Sequence, residues 1–179
     1  MPVIDFFAIS THHLGLVPYG TITHHEAIDE PSGRQYTDQE YEQDFVLKTP
    51  GGANYVTFGW TNTIPVGSTI NAVSITCCIW LHPLSAPSGQ AAVLEIGDQA
   101  YYQFSLPGNG WTPTTKTWTT NPAGGAWTYS ALSNLYFGVY LSTPSDETEQ
   151  VLPSKCTQCY LTIDYTPPAT TFRAHGCVC

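Results

Sequence analysis

Positive charge is what this chain has least of: five Lys and Arg stand against fourteen Asp and Glu, a net charge of −9 over 179 residues. A nucleic-acid binder must neutralise a run of phosphates with cations, so nucleic acid is excluded as the main partner. Methionine occurs once, and all charged residues together make up 11% of the chain. That is poor material for amphipathic helices. No apolar run approaches the ~20 residues that span a bilayer, so no membrane partner is expected. The opening Met1-Pro-Val-Ile-Asp-Phe-Phe7 has no basic flank, and its apolar stretch stops at Ser10-Thr11-His12-His13. A secretion signal is therefore not expected, and synthesis is expected in a cytoplasm.

Catalytic signatures are missing too. The chain has no G-x-S-x-G elbow, P-loop, H-E-x-x-H, strand-to-helix G-x-G-x-x-G or EF-hand loop, which argues against the commonest enzyme classes. A Ser, His and Asp could still meet from distant positions, but nothing in their spacing points to it. The expectation is a protein without catalytic role or catalytic residues.

What the chain does have is 13% aromatics, fifteen glycines and fourteen prolines spread along its length. These residues favour strands and turns. The length suits one domain, since a chain of this size can bury roughly 70% of its unfolded surface. Residues 1–40 read as an extended N-terminal arm, with seven of the fourteen acids between Glu26 and Asp44. A cation site or docking surface is one reading of that cluster; a solvated loop face is the simpler one.

Residues 41–168 show the two-residue alternation of half-buried strands. Phe45 and Leu47 share one face, as do Val56, Phe58 and Trp60, and Val73, Ile75, Cys77, Ile79 and Leu81 make a longer apolar row. Ala92, Leu94 and Ile96 precede the turn pair Gly97-Asp98, after which Ala100, Tyr102, Phe104 and Leu106 read as the inward face and Gln99, Tyr101 and Gln103 as the outward one. Asn121-Pro-Ala-Gly-Gly125 breaks the chain. One short helix is expected near residues 128–135, capped by Thr128, with Leu132 and Leu135 facing inward. Strands around Val139 and Ile163 complete the set, and residues 169–179 form a Cys-containing tail. Seven or eight short strands with turns between them predict an all-β fold, an antiparallel β-sandwich of jelly-roll type. No 20 to 50 residue repeat is visible, which disfavours propellers and solenoids.

Three groups of residues could carry chemistry. His12-His13 and His24-His25 resemble metal ligands, but neighbours in a strand point to opposite faces, so surface polar residues are the simpler reading. Cys156-Thr-Gln-Cys159, together with His175, Cys177 and Cys179, offers zinc a knuckle-like set, while the same sulfurs could form disulfides or remain inert buried thiols. The vicinal Cys77-Cys78 are too strained to join each other. Among the aromatics, Trp111, Trp118, Tyr136 and Tyr140, with Tyr101, form a candidate glycan platform or protein interface. Trp127 reads as core packing beside the helix.

Several segments carry a likeness: Ile28-Asp29-Glu30, Tyr36-Thr37-Asp38, the strand at Phe45, Ile70-Asn-Ala-Val-Ser74, Asn121-Pro-Ala-Gly-Gly-Ala-Trp-Thr128, Leu132 and Leu135 before Phe137-Gly138-Val139, and Cys159-Tyr-Leu-Thr-Ile-Asp-Tyr165. Over residues 20–166 the chain resembles a module of tailed-bacteriophage and environmental virion proteins. The resemblance implies a jelly-roll-like β-sandwich serving as a head decoration, fibre or tail accessory, with no catalytic role. The tail Thr170 to Cys179 departs from that pattern. The expectation is thus a non-enzymatic virion structural protein, located in the virion as capsid decoration or tail/fibre accessory. It would be a homo-oligomer docked on major capsid or tail subunits and would carry no cofactor. The alternatives are a carbohydrate-binding, lectin-like host-surface adhesin and a zinc-stabilised module.

Overall fold

The computed structural model describes residues 2–13, 17–19, 45–47, 55–80, 90–104, 112–141 and 155–169. Eleven strands lie among them: β1 (Val3–Phe6), β2 (Ser10–His13), β3 (Val17–Tyr19), β4 (Phe45–Leu47), β5 (Tyr55–Gly59), β6 (Thr69–Trp80), β7 (Ala91–Ile96), β8 (Gln99–Phe104), β9 (Thr112–Trp118), β10 (Leu135–Tyr140) and β11 (Lys155–Thr166). They form two antiparallel sheets. The first runs β3-β4-β11-β6-β9, with β1 also paired to β11, and the second runs β2-β5-β10-β7-β8.

From β4 onward the chain changes sheet at every connection except the β7–β8 hairpin. The eight strands therefore stand as β4-β11-β6-β9 facing β5-β10-β7-β8, which is the double Greek key of a jelly roll. The fold is an all-β antiparallel sandwich, as the alternation predicts.

The inner faces are the apolar rows read from the sequence. Val73, Ile75, Cys77 and Ile79 of β6 meet Leu161 and Ile163 of β11, and across the core lie Val56, Phe58, Ala92, Leu94, Phe137 and Val139. Phe58 and Phe137 touch with centroids 6.0 Å apart. Each Val, Leu, Ile and Phe among them contributes about 1.5–3 kcal/mol by leaving water.

The β7–β8 turn sets a register opposite to the expected one. Gly97 takes a positive φ of 62°, which a two-residue hairpin needs and a β-carbon disfavours. Ile96 then pairs with Gln99, Leu94 with Tyr101 and Val93 with Tyr102. Tyr101 and Gln103 thus share the core side of Leu94 and Ala92, and Tyr102 stands on the outside. The sequence reading had these faces reversed. Because β8 is an edge strand, its inward polar residues lie at the rim, where Gln103 Nε2 donates to the Thr117 carbonyl of the other sheet at 3.0 Å.

The helix near 128–135 is a short 3-10 helix over Tyr129–Asn134, and Thr128 Oγ1 accepts from the Ala131 amide at 3.2 Å. Leu132 and Leu135 are both buried, as expected, and Leu135 caps the helix by donating its N–H to the Leu132 carbonyl while it opens β10. Six residues including two serines and an asparagine suit the tighter turn, since their side chains compete for backbone partners.

Part of the segment expected as an arm lies on the sandwich itself. β1 pairs with β11, where Thr162 Oγ1 donates to Asp5 at 2.7 Å, and Phe6 packs on Trp60 with centroids 4.5 Å apart. β2 pairs with β5, and β3 with β4. The acidic stretch from Glu26 to Asp44 and the tail beyond Ala169 lie outside the described residues.

Candidate functional site

The two outer faces differ in chemistry. On the first sheet, hydroxyls pair across strands: Ser74 with Thr117 at 2.8 Å and Thr76 with Thr115 at 2.7 Å. Asn71 donates to Asp164 at 3.2 Å, and the Lys155 ammonium lies 5.6 Å from the Trp80 ring centre. These hydroxyls bond to one another, and the polar row they form shares the face with Trp80 and Tyr160, the latter 5.9 Å from the Phe7 ring.

The second sheet carries aromatics. Register places Tyr55 beside Tyr140, Gly138 between Thr57 and Val93, and Tyr136 beside Glu95. Tyr102, paired with Val93, leans between two of these rings: it meets Tyr140 at 5.6 Å with an interplanar angle of 83° and Tyr55 at 5.9 Å and 88°. Edge-to-face contact of this kind is the arrangement ring quadrupoles favour. Tyr102 is 37% exposed, so its outer part remains available.

Beneath the rings a polar bond crosses the sheet. Thr57 Oγ1 donates to Glu95 Oε2 at 2.6 Å, with Thr57 0% and Glu95 7% exposed. Thr57 is on β5 and Glu95 on β7, with β10 between them. The bond passes over Gly138, where a β-carbon would collide with the Val56 carbonyl of β5. Only glycine lets the strands approach so closely there. Burial raises the Tyr55 phenol above its usual range, and the Glu95 charge raises it further. Tyr102 is raised by burial and then by Tyr55, Tyr140 and Glu95.

The candidates read from sequence separate in the fold. Tyr136 and Tyr140 are half-buried on this outer face, as their parity predicts. Trp118 is not part of a platform: it pairs with Val73, so its ring enters the core, and it is 7% exposed. Trp127 is also buried, and its indole N–H donates to the Trp118 carbonyl at 2.8 Å. Trp111 lies outside the described residues, as do the side chains of His12 and His13. Sequence reasoning missed Tyr55, Thr57, Glu95, Tyr102 and Gly138. The signal was the Gly97-Asp98 turn, whose length fixes which tyrosine of the adjacent pair faces outward.

The cysteines also separate. Cys77, Cys78, Cys156 and Cys159 are free and buried, while His175, Cys177 and Cys179 lie outside the described residues. A C-x-x-C in an even strand would face both ways, but the β6–β11 register shifts between Cys156 and Gln158. That bulge at Thr157 turns Cys156 and Cys159 onto one face, and both join the core. A site closed by the tail would have to reach them there. Among the described residues no group of three or more His, Cys, Asp or Glu is arranged to hold a metal ion.

No protein-family model matches the chain, and no curated protein sequence matches it.

Proposed function

We propose that this chain is a non-enzymatic virion structural protein, a capsid decoration or a tail or fibre accessory, that docks on neighbouring subunits through its sandwich and N-terminal segment. The observation that carries this reading is the strand order, β4-β11-β6-β9 against β5-β10-β7-β8. That order is used by viral capsid and lectin domains alike, so the support is at the level of fold. The tyrosine face adds to it, because Tyr is enriched where one protein buries against another.

A lectin-like adhesin is the second reading, and the ring geometry favours it less. Sugar stacking needs an open ring face, whereas Tyr102 stands nearly perpendicular to both Tyr55 and Tyr140. The rings pack edge to face against one another, so the three do not share one flat platform. For a zinc-stabilised module, no metal-holding group of three or more His, Cys, Asp or Glu is present among the described residues, and Cys156 and Cys159 are core residues.

Sedimentation tests the proposal. The purified protein should form a defined oligomer and should co-sediment with particles assembled in its presence. A strictly monomeric species that never associates with particles, or specific hits on a glycan array that Tyr102→Ala abolishes, would overturn it.

A further inference from the structure

Two thiols in the middle of the core are placed to react with each other. Cys77 and Cys159 are direct register partners on β6 and β11, the long central strands of the first sheet. Their sulfurs are 3.6 Å apart, with the Cys77 thiol directed at Cys159. Both side chains are fully buried. Ile79 and Cys156 pair on one side of them, and Ile75 and Leu161 on the other. Cys156, brought to this face by the bulge, directs its own thiol at the Gln158 carbonyl at 3.1 Å.

We propose that Cys77 and Cys159 form a covalent modification site: a cross-strand disulfide made within one chain by a small peroxide-type oxidant. The sulfurs are already in van der Waals contact, so the bond needs them to close by about 1.5 Å, within reach of side-chain rotation and a small approach of the strands. In the first step one cysteine ionises and its thiolate attacks a peroxide oxygen; an S–O bond forms, the O–O bond breaks and the leaving hydroxide takes up the proton that the thiol released, giving a sulfenic acid and one water. The partner sulfur then attacks the sulfenic sulfur. The S–S bond forms, the S–O bond breaks, and the departing hydroxide takes up the partner's proton as water. Two thiols are oxidised by two electrons, and one hydrogen peroxide is reduced to two waters.

The surroundings select the oxidant. Apolar walls exclude bulky disulfides such as oxidised glutathione, whereas a peroxide is close to water in size. The thiols are also slow to ionise. A bond with Cys156 lowers the Cys77 value, but the contact with Cys159 and burial hold it well above the usual thiol range, and burial raises Cys159. Oxidation is therefore slow in the native protein, and Cys159 is distinguished from Cys156, which also touches Cys77, by its direct register with Cys77 and the 3.6 Å sulfur contact.

Peptide mapping tests it. Native protein carrying Cys177→Ser and Cys179→Ser is treated with hydrogen peroxide, quenched, denatured and alkylated, then digested without reduction. The expected result is an intact-mass loss of about 2 Da, one linked species joining the Cys77 and Cys159 peptides, and a higher urea midpoint for the linked form than for the reduced one. Cys156→Ala should leave the link in place, and Cys159→Ala should abolish it. Should either variant fail to fold, the map of the parent protein decides. Full alkylation of both cysteines after oxidant, a link from either one to Cys78 or Cys156, over-oxidation without a link, or a linked form less stable than the reduced one overturns the proposal.

Discussion

Replacing Thr57 with valine removes one hydroxyl and keeps the side chain's shape, so it isolates the bond to Glu95. The 2.6 Å contact is short, one end is 0% exposed, and the acceptor is 7% exposed beneath the tyrosine rings. Hydrogen bonds to charged acceptors are worth about 1.5–3 kcal/mol net, and water has poor access to replace this donor, so the upper half of that range is expected. A loss of about 2–3 kcal/mol in a domain of this size lowers Tm by roughly 4–12 °C. With a urea slope of about 2 kcal/mol/M, the midpoint falls by about 1–1.5 M. Urea unfolding followed by tryptophan fluorescence and far-UV circular dichroism measures this directly. Glu95→Gln and the double variant complete a cycle whose coupling should be about 1–2 kcal/mol. A Thr57→Val midpoint within about 0.2 M of the parent, or a coupling near zero, would show that the cross-sheet bond does not stabilise this face.

Other expectations follow from the same geometry. Gly138→Ala should cost about 3 kcal/mol or more, because its β-carbon meets backbone atoms of Val56 and Thr57 that cannot rotate away; wild-type stability of that variant would contradict the close approach of β5 and β10. Tyr102→Ala should cost only about 1–2 kcal/mol, the worth of two ring contacts, yet weaken particle co-sedimentation about tenfold if this face docks on a neighbour. Unchanged co-sedimentation would move the interface elsewhere. Alkaline pH should destabilise the fold. Burial pushes the Cys78 thiol from 9.0 to about 12, and Cys77, Cys156 and Cys159 are raised as well. Above about pH 9 the unfolded chain releases thiol protons that the folded chain keeps, so stability falls as pH rises, by up to about 1.4 kcal/mol per pH unit for each thiol. Urea midpoints at pH 8 and 10 check this, and Cys78→Ala should reduce the slope. A flat profile would contradict the burial of these thiols.

Alternation made the inner faces legible without coordinates. Val73 to Ile79, Val56 and Phe58, Ala92 and Leu94, and Leu161 and Ile163 are all core, because a strand facing both core and solvent must repeat every second residue. The short helix was legible from its Thr128 cap, although not its 3-10 form. β8 resisted the same logic: Gln99 and Gln103 are polar and Ala100 and Phe104 apolar, with a tyrosine in each set, yet the two-residue turn at Gly97 places Gln99, Tyr101 and Gln103 inward. Hairpin length outranks hydrophobicity at an edge strand, where an inward residue can still reach the rim.

The sequence by itself determined the β class, the turns and most of the core, since these depend on interactions between residues close along the chain. Tertiary structure alone decided the rest. Strand order requires partners far apart in sequence, such as β4 and β11. The tyrosine cluster joins Tyr55, Tyr102 and Tyr140 from three strands. The Thr57–Glu95 bond exists because a glycine on the strand between them leaves the space open. The meeting of Cys77 with Cys159 depends on register between strands more than eighty residues apart, and the inward turn of Cys156 depends on a bulge that only pairing with β6 creates. Each is set by how distant strands align, and no local period along the chain records that alignment.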